Sequence, residues 1–351
     1  MATIPISISN GLISFYSISR SSQLSLVHGL RKLKFGLHTF LGIRLSTGPK
    51  AVTMGVADDL TKGGEFVRKA SQFRNTICEG STFPPEANRY HLYISLACPW
   101  AHRTLIVRKL KGLEDVISLS VVHYLMLENG WEFKDGTEDP ACIPDTVNNF
   151  KYVKELYVQS DPEYNGRYTV PILYDKQSKK IVNNESSDII RMFNTAFNKF
   201  AKNPSLDLYP EILKNQIDEL NDFIYNGLNN GVYKAGFAMN QEAHELNSKL
   251  VYETLMKLDE ILGKGPYVLG DTFTETDVRL FTSLVRHDAV YFGHFKCNLV
   301  AVRDLPNLSK WLKMIIQTDS IGETVNMDHI KKHYYMSHRH INPSAIVPLG
   351  I

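Results

Sequence analysis

Cys98 is the residue with the clearest chemistry in this chain. It stands in Tyr93-Ile94-Ser95-Leu96-Ala97-Cys98-Pro99-Trp100-Ala101-His102-Arg103, where a hydrophobic strand pattern breaks into a helix start. A thiol at a helix N-terminus faces unpaired backbone N–H groups and the positive end of the helix dipole, and both favour its thiolate. Pro99 suits the first turn, because the N–H that proline lacks would find no partner there. The sequence therefore predicts a nucleophile that ionises near neutral pH, unlike the inert buried role of most lone cysteines. Cys78, Cys142 and Cys297 have no such setting and read as passive. No two cysteines are spaced C-x-x-C, which argues against a zinc site or disulfide framework and for a reducing compartment. His333, His338 and His340 cluster without a carboxylate or cysteine beside them, so no metal is expected.

The surrounding pattern supplies the scaffold. His91–Leu96 alternates as a first strand, and Pro99–Lys111 carries Ala101, Leu105, Ile106 and Leu110 at helical spacing before Gly112 stops it. The β-branched run Val116–Val122 predicts a second strand, parallel to the first through a right-handed crossover. His123–Arg167 shows little periodicity and reads as a long, functional loop that contains Trp131. Thr169–Tyr174 is a third strand, Lys176–Lys180 a turn, Ile181-Val182 a fourth strand, and a helix begins at Ser186-Ser187. This order predicts an α/β thioredoxin-like domain over 86–200, led by an arm over 58–85.

From Leu206 the pattern becomes helical. Leu213, Ile217, Leu220 and Ile224 form one stripe, and Val251, Leu255, Leu258 and Leu262 another that Gly263 ends. Thr274-Glu275-Thr276-Asp277 is a capping box that starts a core helix, and Leu308–Ile316 is a further helix. An all-α domain is expected over 205–328, followed by a His-, Tyr- and Pro-rich C-terminal arm over 329–351.

Composition narrows the class. With 351 residues, 43% of them hydrophobic and 22% charged, the chain can build two domains with an ample core. A net charge of +2 excludes the basic face that nucleic acid demands. No stretch approaches the roughly 20 uninterrupted apolar residues of a membrane span. Residues 1–57 differ from the rest: they hold no Asp or Glu, many serines (Ser7, Ser9, Ser14, Ser17 and others) and six Lys or Arg. Acid-free, serine-rich and basic is the composition of an organelle transit peptide. Abundant serine and the absence of arginine from the first 19 residues favour a plastid over a mitochondrion, and a start at Met54 would leave the product in the cytoplasm.

A thioredoxin-like half followed by a helical half is the build of glutathione transferases. Cys98-Pro-Trp-Ala-His-Arg103, Thr169-Val-Pro171, Asn183-Asn-Glu-Ser-Ser187, His294-Phe-Lys-Cys-Asn298, Asp304-Leu-Pro-Asn-Leu308, Thr324-Val-Asn-Met327, His329-Ile-Lys-Lys-His-Tyr-Tyr335 and Ile341-Asn-Pro343 together resemble the glutathionyl-hydroquinone reductases, the Xi-class glutathione transferases, over roughly residues 65 to 350. The resemblance implies that Pro171 is cis and presents the Val170 backbone to the cysteinyl part of glutathione. It implies that Ser186 holds the γ-glutamyl carboxylate at a helix start, that Glu185 takes the ammonium, and that Arg167 meets a glutathione carboxylate. Trp131 would cover the bound tripeptide, and Tyr233 and Tyr291 would face a quinol ring with a flat apolar surface and a hydroxyl donor.

Dithiol glutaredoxins carry a second cysteine three residues after the first, and position 101 here is Ala. A second glutathione must therefore regenerate Cys98. His102 and Arg103 lend charge to the thiolate or pack on the first turn, and packing is the favoured reading. The expected activity is removal of glutathione from glutathionyl-(hydro)quinones, with glutathione as co-substrate and a homodimer as the family's assembly. Two other readings are an omega-like thiol transferase or dehydroascorbate reductase, and a non-enzymatic carrier of aromatic ligands.

Overall fold

The computed structural model describes residues 64–350. The expected transit peptide lies outside the described residues, as does the start of the expected arm. Strands β1 (Tyr90–Ile94), β2 (Ser118–Val121), β3 (Ile172–Asp175) and β4 (Lys180–Asn183) form one sheet in the order β2-β1-β3-β4. β1 runs parallel to β2 with Leu92 opposite Leu119, and β3 is antiparallel to both β1 and β4. Every residue of β1 is buried, so its polar members need internal partners. His91 finds them in the hydroxyls of Ser118 (2.7 Å) and Ser120 (2.9 Å), and burial pushes its pKa down to about 4.

Helix α1 (Pro99–Leu110) starts directly after Cys98 and is followed by Gly112 at φ +64°. A side chain at Gly112 would be strained by its φ and would meet Lys202 Cβ at 2.5 Å. α2 (Val153–Ser160) packs on β4, whereas α3 (Ser186–Thr195) packs on α1. α2 corrects the reading of 123–167 as loop throughout. Its apolar residues Val153, Leu156 and Tyr157 span barely two turns, too few for a period to show. What marks it is Glu155, whose carboxylate accepts from the Tyr152 amide at 2.8 Å in a capping box.

The N-terminal arm runs along the outer edge of β4. The Asn75 amide donates to the Val182 carbonyl and the Asn184 amide to the Phe73 carbonyl, both at 3.1 Å. An exposed sheet edge is thereby covered. Arg74 pairs with Asp188 of α3 and pins the arm.

The helical part comprises α4 (Lys214–Ile224), α5 (Gly231–Gly236), α6 (Gln241–Leu262), α7 (Glu275–Arg286), α8 (Pro306–Ile316), α9 (Asp319–Gly322) and α10 (Met327–Ser337). All of α7 is buried, because it lies against α1 on one side and α4 on another. The expected capping box forms at Thr274 and Asp277. Buried Glu275 accepts from Arg191 of α3 (2.9 Å), Asn221 of α4 (2.9 Å) and Arg279 (2.8 Å), which ties the sheet-bearing half to the helical half. One turn of π-helix, Tyr225–Asn229, precedes α5, and another, His287–Tyr291, follows α7. The C-terminal segment is more than an arm: Asn326 caps α10, with its side chain accepting from the His329 amide, and Ile330 and Tyr334 enter the core. Among the described residues, no helix is long and apolar enough to cross a membrane.

Candidate active site

Two lobes of one cleft meet at the junction of β1 and α1. The polar lobe, about 310 Å³, is lined by Arg68, Ser71, Arg74, Arg167, Val170, Pro171, Glu185 and Ser186 among others. The aromatic lobe, about 240 Å³, is lined by Phe66, Cys98, Trp131, Tyr233, Phe237, Tyr334 and His338 among others. Arg68, Trp100, Arg167 and Val170 belong to both walls. Cys98 is partly exposed and lines the aromatic lobe, with its Sγ 3.5 Å from the carbonyl oxygen of Val170, a residue of both walls. The Val170–Pro171 peptide is cis, as expected.

The polar lobe is built from three segments. Glu185 is the N-cap of α3: its carboxylate accepts from the Ser187 amide and from the Ser71 hydroxyl of the arm, each at 3.1 Å. Ser186 opens α3, where the free N–H groups of a first turn suit a carboxylate ligand. Behind it, Arg103 donates to Asn229 Oδ1 (2.7 Å) and to Ser186 Oγ (3.4 Å), and burial pushes the Arg103 pKa down to about 9. Arg103 thus packs, in agreement with the favoured reading, and so does His102, which is buried between Thr324 and Arg286.

The aromatic lobe is walled by residues distant in sequence. Trp131, expected over the bound tripeptide, instead lines the aromatic lobe, where it is buried and stacks on His333 of α10, ring centroids 4.7 Å apart. Tyr233 and Tyr334 share a short hydrogen bond of 2.5 Å between hydroxyls, and Tyr291 reaches the Tyr334 hydroxyl at 3.2 Å. Tyr291, expected at the wall, is fully buried and lines neither lobe; it lies behind Tyr334, which, though buried itself, takes its place in the wall. Arg68 is the other wall residue that the sequence reading missed. Its guanidinium sits 4.6 Å over Trp100 and 5.1 Å over Tyr233, and its Nε donates to Asn230 Oδ1 at 3.3 Å. Nothing in the spacing around Arg68 marks it, since its role comes from where the arm is laid. Tyr334 had a signal in the His329–Tyr335 motif, but a tail read as an arm gave it no wall to join.

The thiol itself corrects an expectation. Burial pushes Cys98 above its ordinary value, opposed by the Ala101 amide, the Arg286 cation, the Trp100 amide and the Arg68 cation in that order. The helix start does act in the expected direction. The aromatic wall, which removes water from the sulfur, outweighs it. Burial likewise pushes Tyr233, Tyr291 and Tyr334 up, so their hydroxyls stay protonated donors.

Of possible metal ligands, one trio lies together among the described residues, Asp139, Cys142 and His329. It is internally bonded, with His329 Nε2 and Asp139 Oδ2 at 2.6 Å, and it joins α10 to the 123–152 segment rather than facing the cleft. His333 and His338, by contrast, line the aromatic lobe.

A cysteine at the start of α1, a cis-proline peptide beside it and a helical half closing an aromatic lobe define a cysteine-type glutathione transferase. Family models agree: residues 97–196 match the glutathione S-transferase N-terminal domain and 241–313 the C-terminal domain. The chain is 51% identical to glutathionyl-hydroquinone reductase YqjG of Escherichia coli (strain K12), covering 84% of this chain and 91% of that protein. It is 51% identical to glutathione S-transferase omega-like 2 of Schizosaccharomyces pombe, covering 84% and 96%. The crystal structure of glutathione-S-transferase Xi from Phanerochaete chrysosporium superposes with a TM-score of 0.80 at 52% identity, covering 82% of this chain and 97% of that one. The glutathione-bound structure of YqjG superposes with a TM-score of 0.76 at 51% identity, covering 80% and 92%. The chain belongs to the glutathionyl-hydroquinone reductase family, the Xi-class glutathione transferases.

Proposed function

We propose that this enzyme removes glutathione from glutathionyl-hydroquinones, yielding the hydroquinone and oxidised glutathione. The observation that carries the reading is Cys98 in the wall of the aromatic lobe with its Sγ 3.5 Å from the carbonyl of Val170, which lines the polar lobe as well. The glutathionyl part of the substrate lies in the polar lobe, its γ-glutamyl carboxylate at Ser186, its ammonium at Glu185, a second carboxylate at Arg167 and its cysteinyl backbone against Val170. The hydroquinone ring enters the aromatic lobe under Trp131. The Cys98 thiolate attacks the substrate sulfur, the carbon–sulfur bond breaks, and its electron pair leaves with the ring carbon, which takes up a proton. Tyr233 and Tyr334 supply hydroxyl donors on that side. Tyr291 supports them from behind. A second glutathione thiolate then attacks the Cys98–glutathione mixed disulfide, releasing oxidised glutathione and the Cys98 thiolate.

Two half-reactions through one covalent intermediate give ping-pong kinetics. Cys98→Ser is expected to abolish turnover of glutathionyl-menadione while binding of glutathione, followed by calorimetry, stays within about threefold. Retained turnover would end the scheme. An omega-like reductase would use the same cysteine on dehydroascorbate or small disulfides. The closure of the lobe by Trp131 and α10 favours an aromatic acceptor instead. A panel of glutathionyl-menadione, dehydroascorbate and chlorodinitrobenzene separates these outcomes.

We further propose a homodimer and import into the plastid stroma. The row of exposed apolar residues Leu246 and Leu250, one turn apart on α6, supports an interface, and light scattering checks it. The acid-free, serine-rich residues 1–57 support import. A fusion of that segment to a fluorescent protein reports plastid, mitochondrion or cytoplasm directly.

A further inference from the structure

Arg286 is the last residue of α7, and its side chain is fully buried directly behind the Cys98 loop. Its Nε donates to the Ala97 carbonyl at 2.9 Å, one Nη to the Leu96 carbonyl at 3.0 Å, and the other to the Thr282 carbonyl at 2.7 Å. That second Nη also lies 3.1 Å from His102 Nδ1. A guanidinium has only donors, so Nδ1 accepts and the histidine proton sits on Nε2, which donates to Thr324 Oγ1 at 2.7 Å. His102 is thereby held neutral. All four partners of Arg286 are uncharged, and no carboxylate pairs with it among the described residues. A buried cation without a counter-ion is a costly arrangement, and a fold keeps it where a negative charge is to be placed nearby.

Resting on Cys98 as the nucleophile, we propose that Arg286 is a positioning residue with two roles. Its fork clamps the Leu96 and Ala97 carbonyls, so that Cys98 enters α1 in a fixed place. Its charge is the standing counter-charge of the Cys98 thiolate, supplied from the helical half of the protein. The other titratable and charged groups around the thiol are Arg68 and Lys69 from the arm, Arg167 and Tyr168 from the segment before β3, His102 from α1, Tyr233 from α5, His333 and Tyr334 from α10, and His338 at its C-cap. Of these, Arg68 is at the cleft surface, bonded to Asn230 and stacked on Trp100. Arg286 is sealed behind the loop, where water and salt screen it least. The same cation also favours the anionic forms of Tyr233 and Tyr334, which line the aromatic lobe, and of Tyr291 behind them.

The test is a thiolate titration of Arg286→Met and Arg286→Lys, read by ultraviolet absorbance and by alkylation rate against pH, with Cys98→Ser as the blank. In Arg286→Met the Cys98 pKa is expected to rise by about one unit or more, so that alkylation below the pKa slows about tenfold. In Arg286→Lys it stays within about half a unit while kcat falls, because the charge remains and the fork is lost. A folded Arg286→Met with the wild-type titration overturns the proposal. So does an Arg286→Lys pKa raised by a full unit, and this second variant decides if Arg286→Met does not fold. No quinone substrate enters the two titrations that decide the proposal, so their failure is distinct from that of the proposed activity, which retained turnover by Cys98→Ser would reveal.

Discussion

The Cys98 sulfur is governed by opposing local forces that single residues can tip. Burial raises the Cys98 pKa, and two amides of the first α1 turn with two arginines lower it. Around the ring site, the phenol network has an order: the Tyr334 hydroxyl bonds both other tyrosines at the lobe, whereas Tyr291 sits behind it, its hydroxyl on Tyr334 and its ring edge-on to Tyr233. Tyr334→Phe is therefore expected to lower kcat for a glutathionyl-hydroquinone by about 100-fold, a usual loss for a general acid, with the glutathione KM little changed. Tyr291→Phe should cost less, about tenfold or below. Equal losses in steady-state kinetics would contradict the order. The histidines of this wall make a second prediction. Burial pushes His333 down to about 4 and His294 to about 3, with His338 well below its ordinary value. All three are neutral from pH 6 to 8. The kcat/KM profile should thus rise with pH along the thiol ionisation alone, and a histidine inflection near about pH 6.5 would contradict it.

Among the elements, α7 does most to hold the site, since Arg286 at its end reaches the Cys98 loop and Glu275 at its start reaches α3. Its beginning depends on the Thr274–Asp277 box. The Asp277 carboxylate accepts from the amides of Val268 and Thr274, both at 3.0 Å. Thr274→Ala should cost about 1 kcal/mol in urea unfolding. Asp277→Ala should cost more, about 2–3 kcal/mol, because two buried amides lose their acceptor. If the two variants were equally stable, the box would not be the start that matters. The capping box was legible in the sequence, as were β1, α1 and α3, because each has its own period or cap. α2 was not, being two turns long with an aromatic N-cap, Tyr152, in place of a short polar one.

For the whole molecule, acid is the expected weakness. Burial pushes the Asp175 carboxyl up, but Arg89, Ser178 and the Gln177 amide together hold it below the usual carboxylate range. Asp139 and Asp288 are held low in the same way against burial, the first by the Ala141 amide and His329, the second by His287 and the Val302 amide. A group with a depressed pKa in the fold contributes stability that is present above its unfolded value and lost as pH falls through its folded value. Unfolding free energy should accordingly decline in two stages, first below about pH 6.5, where the unfolded chain protonates His91, His294 and His333 and the fold keeps them neutral, and again below about pH 4 as these carboxylates protonate. Asp175→Asn, which leaves Arg89 with the more exposed Glu86 as its remaining carboxylate, should cost about 2 kcal/mol and flatten part of that decline. A decline of unchanged depth in the variant would place the acid sensitivity elsewhere.

Sequence alone determined what is local. A strand period, a thiol, a proline and a helix period in succession located the candidate nucleophile, and separated motifs in order placed the chain in its family. It also named Val170-Pro171 and Glu185-Ser186, a strand start and a helix cap that the fold brings together on the wall of the polar lobe. Tertiary structure decided what depends on desolvation and on residues far apart in the chain. Arg286 acts on a loop 189 residues away, Arg68 arrives on an arm laid along a sheet edge, and Tyr334 displaces Tyr291 from the cleft wall because α10 folds in. No local pattern records which water a neighbour removes. For that reason the position of the thiol could be read from the chain, whereas its acidity could not.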